Sequence, residues 1–144
     1  MPDGVTPVPR LEVAGEIVAV GDNIEASVLG RRVCALTEGG GYAEYCAVPY
    51  GQVLEIPDNI SFTQAAAIPA TFFTVWANLF QLGHVHKGDT VLIHGGASGI
   101  GTTALSICKE LGIHTISTVG NDEKQAYLKE FCHIINYKKQ EFKK

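Results

Sequence analysis

No apolar run in the sequence approaches the roughly 18 residues a membrane-spanning helix needs. The first residues, with Pro2, Pro7 and Pro9, hold no apolar segment of the kind that directs secretion. Neither membrane insertion nor export is expected, and a cytoplasmic location is. The four cysteines, Cys34, Cys46, Cys108 and Cys132, include no C-x-x-C pair. They read as reduced, mostly buried thiols rather than as a disulfide frame, and no metal site is expected. Basic residues gather into no long stripe before the last few positions, and the net charge is −4, which disfavours nucleic acid as a partner. Internal repeats and low-complexity tracts are absent. What remains is a chain of 144 residues, 46% hydrophobic and 18% charged, with ample apolar surface for a packed core.

The richest stretch is 89–101, Asp-Thr-Val-Leu-Ile-His-Gly-Gly-Ala-Ser-Gly-Ile-Gly. Thr90 to Ile93 reads as a buried strand, and Leu105, Cys108 and Leu111 then recur at helical spacing. Between them Gly96, Gly99 and Gly101 permit a tight turn, so that backbone N–H groups can approach phosphate oxygens at a helix N-terminus. Thr115 to Val119 reads as a second strand, which completes one βαβ unit. In NAD-binding versions of this unit an acidic residue about 20 positions after the glycines holds the ribose 2′-hydroxyl. Here that edge reads Val119, Gly120, Asn121, and Lys124 follows within reach of an anion. NADP(H) is favoured over NAD(H), although Asp122 could still turn toward a ribose. A structural reading coexists with this one: Asn121 caps a helix whose charged first turn is Asp122, Glu123 and Lys124.

Upstream, Leu11 to Ile56 alternates short strands with glycine turns. Strands are expected over 13–20, 32–36, 42–48 and 52–56, separated by Gly21-Asp22-Asn23 and Gly39-Gly40-Gly41. Pro57-Asp58-Asn59 breaks the run. A helical section follows, over 64–68 and, after Pro69, over 71–82, where Phe72, Phe73, Trp76, Leu79 and Phe80 read as a large core-facing surface. His84, His86, His94, His114 and His133 have no partner at catalytic spacing and none reads as a general base. His94 lies beside the glycine turn and is the one worth testing.

Five ordered motifs carry a resemblance over about 11–142. They are Leu-Glu-Val-Ala-Gly-Glu-Ile-Val-Ala-Val-Gly at 11–21, Gly-Gly-Tyr-Ala-Glu-Tyr at 40–45, Gln-Ala-Ala-Ala-Ile-Pro at 64–69, the glycine turn at 95–101, and Ile-Asn-Tyr-Lys at 135–138. The chain resembles the medium-chain dehydrogenase/reductase superfamily, and within it the zeta-crystallin-like, zinc-independent quinone oxidoreductase branch. The resemblance implies an α/β fold: a partial GroES-like β-rich substrate domain over 1–58, then, over 59–144, connecting helices and the first βαβ unit of a Rossmann NADP-binding domain.

It further implies an NADPH-dependent oxidoreductase that transfers a hydride to a quinone. Ala97, Ser98, Gly99 and Ile100 would line the pyrophosphate, with Gly96 and Gly101 shaping the turn. Gly120 and Asn121 would lie at the adenosine ribose, Lys124 would pair with the 2′-phosphate, and Tyr137 would pack at the same end. Thr74 matches a threonine near the nicotinamide, while its alternative role is a hydrogen bond to its own helix backbone. No catalytic residue is assigned. Zinc-dependent relatives carry Gly-His-Glu where this chain reads Arg10-Leu11-Glu12, and Leu11 cannot bind zinc. The protein would then contribute proximity, orientation and water exclusion.

Three departures stand out. Arg10 replaces a customary glycine. Phe131-Cys132-His133 replaces a Leu-Gly-Ala step, so α-helix and strand must meet there without the usual left-handed glycine. The third is extent: such a domain has roughly six parallel strands, and this sequence reads as a fragment, a truncated reading frame or one part of an assembly. Full-length members of the family are commonly homodimers. Two other functions remain open, an enoyl-thioester or other conjugated-carbonyl reductase of the same superfamily and a non-catalytic nucleotide-binding remnant.

Overall fold

The computed structural model describes residues 6–140. The outer ends of the two expected domains, including Pro2 and Phe142, lie outside the described residues. The chain divides into two compact units, Met1–Ala70 and Thr71–Lys144.

In the first unit, β1 (Glu12–Glu16), β2 (Arg32–Leu36) and β3 (Val53–Glu55) form an antiparallel sheet in sequence order. Its register runs from Glu12 opposite Leu36 to Glu16 opposite Arg32, and from Val33 opposite Glu55 to Ala35 opposite Val53. Cys34 and Ala35 of β2 are buried, and Cys34 meets Ile56 and Ala65 in a small core flanked by Ala14, Ile60 and Phe62. Burial pushes the Cys34 thiol above its ordinary pKa. The helix α1 (Phe62–Ala65) starts with a capping box, in which the Ser61 hydroxyl accepts from the Gln64 amide and the Gln64 side chain accepts from the Ser61 amide.

Two strand expectations need correction. The strand expected over 13–20 ends at Glu16; only Ile17 continues, with Ile17 N–H donating to the Arg31 carbonyl at 3.1 Å, and Val18 is exposed. The strand expected over 42–48 does not form. Gly40, Gly41 and Tyr42 donate back to the carbonyls of Val8, Arg10 and Pro9, and beyond Tyr42 no amide over 43–48 finds a backbone acceptor among the described residues. A segment of strand-favouring residues makes a strand only where a neighbour offers its edge.

In the second unit, β4 (Thr90–His94), β5 (His114–Val119) and β6 (His133–Asn136) are parallel and adjacent in that order. Parallel neighbours need crossovers, which α3 (Gly99–Glu110) and α4 (Asp122–Leu128) supply. Leu105 and Cys108 of α3 and Leu128 of α4 are essentially removed from water and pack with Ile93, Ile113, Val119 and Ile134. Each buried leucine contributes about 1.5–3 kcal/mol. The α3 helix stops at Gly112, in left-handed conformation at φ 68°, with Ile113 N–H reaching back to the Cys108 carbonyl at 2.8 Å. The end of α4 has no such residue. It closes through Phe131 N–H donating to the Leu128 carbonyl at 2.9 Å, with every φ from Lys129 to Cys132 negative, so a right-handed turn does what a glycine would do elsewhere.

The helix expected over 71–82 is two helices. α2 (Pro69–Val75) begins with a proline, whose missing N–H is no loss at a first position, and it continues as a π-helix over Trp76–Leu82. Gly83 N–H closes a five-residue turn to the Asn78 carbonyl at 2.9 Å, and Asn78 Nδ2 donates to the Thr74 carbonyl at 2.8 Å. The change of pitch splits the expected aromatic surface. Val75 is buried and Leu79 and Phe80 pack on the core, while Trp76 is 51% exposed and Phe72 40%. The Trp76 and Phe80 rings lie 4.7 Å apart.

Candidate functional site

The carboxyl end of β4 enters the glycine turn under control of its neighbour β5. His94 pairs with Thr118 in the strand register, and the Thr118 hydroxyl meets both His94 Nδ1 at 3.1 Å and Gly95 N–H at 3.3 Å. The Thr118 carbonyl accepts from Gly96 N–H at 3.2 Å. Gly95 itself has φ 67°, which an L side chain rarely adopts. Gly96 and Gly101 are held by space. A Cβ on Gly96 would fall 2.0 Å from Ser117 Oγ and 3.1 Å from Leu128 Cδ1, and one on Gly101 would fall 2.5 Å from the Gly95 carbonyl oxygen and 2.6 Å from Gly96 Cα. These two glycines let strand, turn and helix touch.

Ser98 caps α3, its hydroxyl accepting from Gly101 N–H at 3.0 Å, and its carbonyl accepts from Thr102 N–H at 2.8 Å. The amides of Ala97, Gly99 and Ile100 have no acceptor among the described residues. Gly99 is exposed, and a Cβ there would meet only Thr71 Cγ2, at 3.7 Å. Three N–H donors without a described acceptor stand at or just before the positive end of a twelve-residue helix with no acidic residue in its first turn. That is the arrangement that binds an anion.

The second half of the site is the end of β5. Gly120 follows Val119, and Tyr137 crosses over it, its N–H donating to the Val119 carbonyl at 3.2 Å. A Cβ on Gly120 would fall 2.5 Å from the Tyr137 hydroxyl oxygen. Asn121 caps α4 by accepting from Lys124 N–H at 2.9 Å. Lys124 is exposed and its ammonium pairs with no described carboxylate. Asp122 points elsewhere: one carboxylate oxygen accepts from Asn136 Nδ2 at 2.9 Å and the other pairs with Lys139. The Lys139 ammonium, and to a lesser extent the Asn136 amide, hold the Asp122 carboxyl below its ordinary pKa.

The structure thus brings Gly96, Ala97, Ser98, Gly99, Ile100 and Gly101 into one turn, and Gly120, Asn121, Lys124 and Tyr137 to the end of the adjacent strand. Thr74 is exposed on α2 with its carbonyl engaged by Asn78. Thr71, one turn earlier, is the threonine beside Gly99. Two further residues escape sequence reading, Ser117 and Thr118. Both are buried, Ser117 Oγ donates to the Ile93 carbonyl at 2.9 Å, and Thr118 organises the turn. Their signal is faint: two hydroxyls next to the end of a strand that already holds His114 and Thr115.

Comparison with known proteins accords with this geometry. Residues 1–58 match the alcohol dehydrogenase GroES-like domain. The chain is 39% identical over 118 residues to a quinone oxidoreductase of Pongo abelii, covering 81% of this chain and 36% of the relative. It is 38% identical over 122 residues to highly-reducing polyketide synthase 1 of Aureobasidium melanogenum, covering 84% of this chain and 6% of that one. Among solved structures, the quinone oxidoreductase of Pseudomonas syringae pv. Tomato superposes with a TM-score of 0.84 at 32% identity, over 99% of this chain and 46% of that one. The Escherichia coli quinone oxidoreductase complexed with NADPH gives a TM-score of 0.81 at 30% identity, over 92% and 42%. The chain therefore spans less than half the length of each of these relatives. No helix among the described residues is long and apolar enough to cross a membrane. With a GroES-like match over residues 1–58 and quinone oxidoreductases as relatives and structural neighbours, the chain is consistent with part of a medium-chain dehydrogenase/reductase protein.

Proposed function

We propose that this chain supplies the cofactor seat of a zinc-independent, NADPH-dependent quinone oxidoreductase acting in the cytoplasm. The observation that carries the reading is the set of amides at Ala97, Gly99 and Ile100 that have no acceptor among the described residues, at the α3 N-terminus beside an open Gly99. These donors would hold the pyrophosphate, and Gly96 and Gly101 keep helix and strand close enough to present them together. Gly120, Asn121 and Tyr137 would frame the adenosine ribose. Lys124 pairs with no carboxylate among the described residues, and Asp122, the carboxylate that could repel a 2′-phosphate, is occupied by Asn136 and Lys139. Thr74 would lie toward the nicotinamide half.

Bound NADPH supplies the hydride. The residues of this chain bind and orient it, and Leu11, where zinc-dependent relatives carry a histidine, offers no Lewis-acid ligand. A conjugated-carbonyl reductase, such as an enoyl-thioester reductase, is the second reading, favoured by the polyketide synthase relative. Calorimetry of the 144-residue chain with NADPH tests the seat. NADPH is expected to bind about tenfold more tightly than NADH, and Lys124→Ala is expected to erase that difference, a loss of about 1.4 kcal/mol. A folded chain that binds neither nucleotide overturns the reading and leaves a structural remnant. Turnover of a quinone panel against enoyl-CoA then separates the two substrate classes.

A further inference from the structure

Arg10 occupies a left-handed backbone conformation, φ 79°, that glycine adopts freely and an arginine does not. The surrounding chain fixes it there. Gly41 N–H donates to the Arg10 carbonyl at 3.2 Å, Tyr42 N–H donates to the Pro9 carbonyl at 3.2 Å, and Thr37 N–H donates to the Leu11 carbonyl at 2.6 Å. Gly41 packs so closely that a Cβ on it would fall 2.8 Å from Arg10 Cβ. The side chain is fixed as well: Nε donates to the Tyr42 hydroxyl at 2.7 Å, and the guanidinium carbon stands 5.0 Å from the Tyr42 ring centroid. Only the terminal edge is left. Both Nη groups lack any partner among the described residues, and no described carboxylate pairs with Arg10. Leu11, next in sequence, and Tyr42, brought to Arg10 by the fold, expose large apolar surfaces.

Backbone strain that the surroundings over-determine is a mark of function, and a preorganised guanidinium edge with two parallel N–H pairs matches the two oxygens of a carboxylate. We infer that Arg10, clamped on Tyr42, is a recognition fork in the first unit for a small ligand that joins a carboxylate to an aromatic body. The fork takes the carboxylate end-on, and the exposed Tyr42 ring and Leu11 side chain take the aromatic portion. This site is independent of the cofactor seat and goes beyond the function proposed above.

The test uses the 144-residue chain, with benzoate as probe and benzamide as its uncharged counterpart, followed through the Arg10 Nε–H NMR signal and by calorimetry. Benzoate is expected to move the Arg10 signal and bind at least tenfold better than benzamide. Arg10→Lys, which keeps the charge but not the fork, is expected to lose that tenfold preference. Arg10→Gly, which suits the backbone and so is expected to fold, should lose binding entirely. Tyr42→Phe, which frees Nε, should weaken binding several-fold. Equal binding of benzoate and benzamide, full binding by Arg10→Lys or Arg10→Gly, or no response to benzoate by the folded wild-type chain would each overturn the inference. NADPH binding measured on the same samples keeps this outcome separate from that of the cofactor seat.

Discussion

The hydroxyl of Tyr137 lies over Gly120 so closely that the smallest side chain at 120 would overlap it, at 2.5 Å from oxygen to Cβ. The obstructing group is the far end of a side chain that is itself half exposed, so it can swing away. Gly120→Ala is therefore expected to fold with a loss of about 1 kcal/mol or less. Adding Tyr137→Ala should relieve that loss, giving a positive coupling in a double-mutant cycle from urea melts. Additive single effects would mean that the two residues do not touch.

Gly101 and Gly99 sit two apart in one helix, yet alanine should treat them in opposite ways. At Gly101 the atoms in the way are backbone, the carbonyl of Gly95 and Cα of Gly96, and nothing can yield without moving strand from helix. Gly101→Ala is expected to cost about 2–4 kcal/mol. Gly99 faces open space, so Gly99→Ala should leave stability equal or raise it by up to about 1 kcal/mol through better helix propensity. The same variant should weaken NADPH binding, because its methyl would stand where the proposed seat takes the pyrophosphate. Calorimetry and urea melts on the pair give both readouts.

Much of the second unit was legible in sequence. Strand, glycine turn, helix and second strand follow from apolar periodicity and glycine spacing, and Asn121 caps α4 as its position suggested. What sequence could not show is set by neighbours. Thr118 controls the turn because strand register places it opposite His94, and register is a tertiary fact. The segment 42–48, rich in tyrosine and other strand-favouring residues, pairs with no strand among the described residues. The π-helix is invisible to a 3.6-residue period, since its cause includes the Asn78 side chain and the turn closed at Gly83.

The shift in pitch has a direct optical consequence. Trp76 is the sole tryptophan, and it stands half in solvent rather than in the core. The folded chain should emit near the wavelength of hydrated indole, be readily quenched by acrylamide, and change little in wavelength on unfolding. A blue-shifted, protected emission would place Trp76 in an apolar contact that the isolated chain does not show.

Asp122 and Lys139 set a small acid dependence. The folded carboxyl has a pKa below its unfolded value, chiefly because Lys139 donates to it. Its contribution to stability is thus complete above the unfolded carboxylate pKa and is lost as pH falls through the folded one. The pair is exposed, so the effect should shrink with salt. In a carboxyl NMR titration Lys139→Ala should move the Asp122 midpoint upward; an unchanged midpoint would show that the ion pair does not persist in solution.

The dependence of the glycine turn on Thr118, Ser117 and Leu128 also means that the proposed phosphate seat is not portable. A peptide copied from the motif would carry every glycine and the Ser98 cap, yet lack the neighbouring strand that bends the turn and the wall that the close-packed glycines lean on. The seat comes into being only when the sheet does. Amide exchange at Gly96 should accordingly follow the opening of the whole second unit rather than local fraying, which makes a loop-like sequence one of the slowest reporters in the chain.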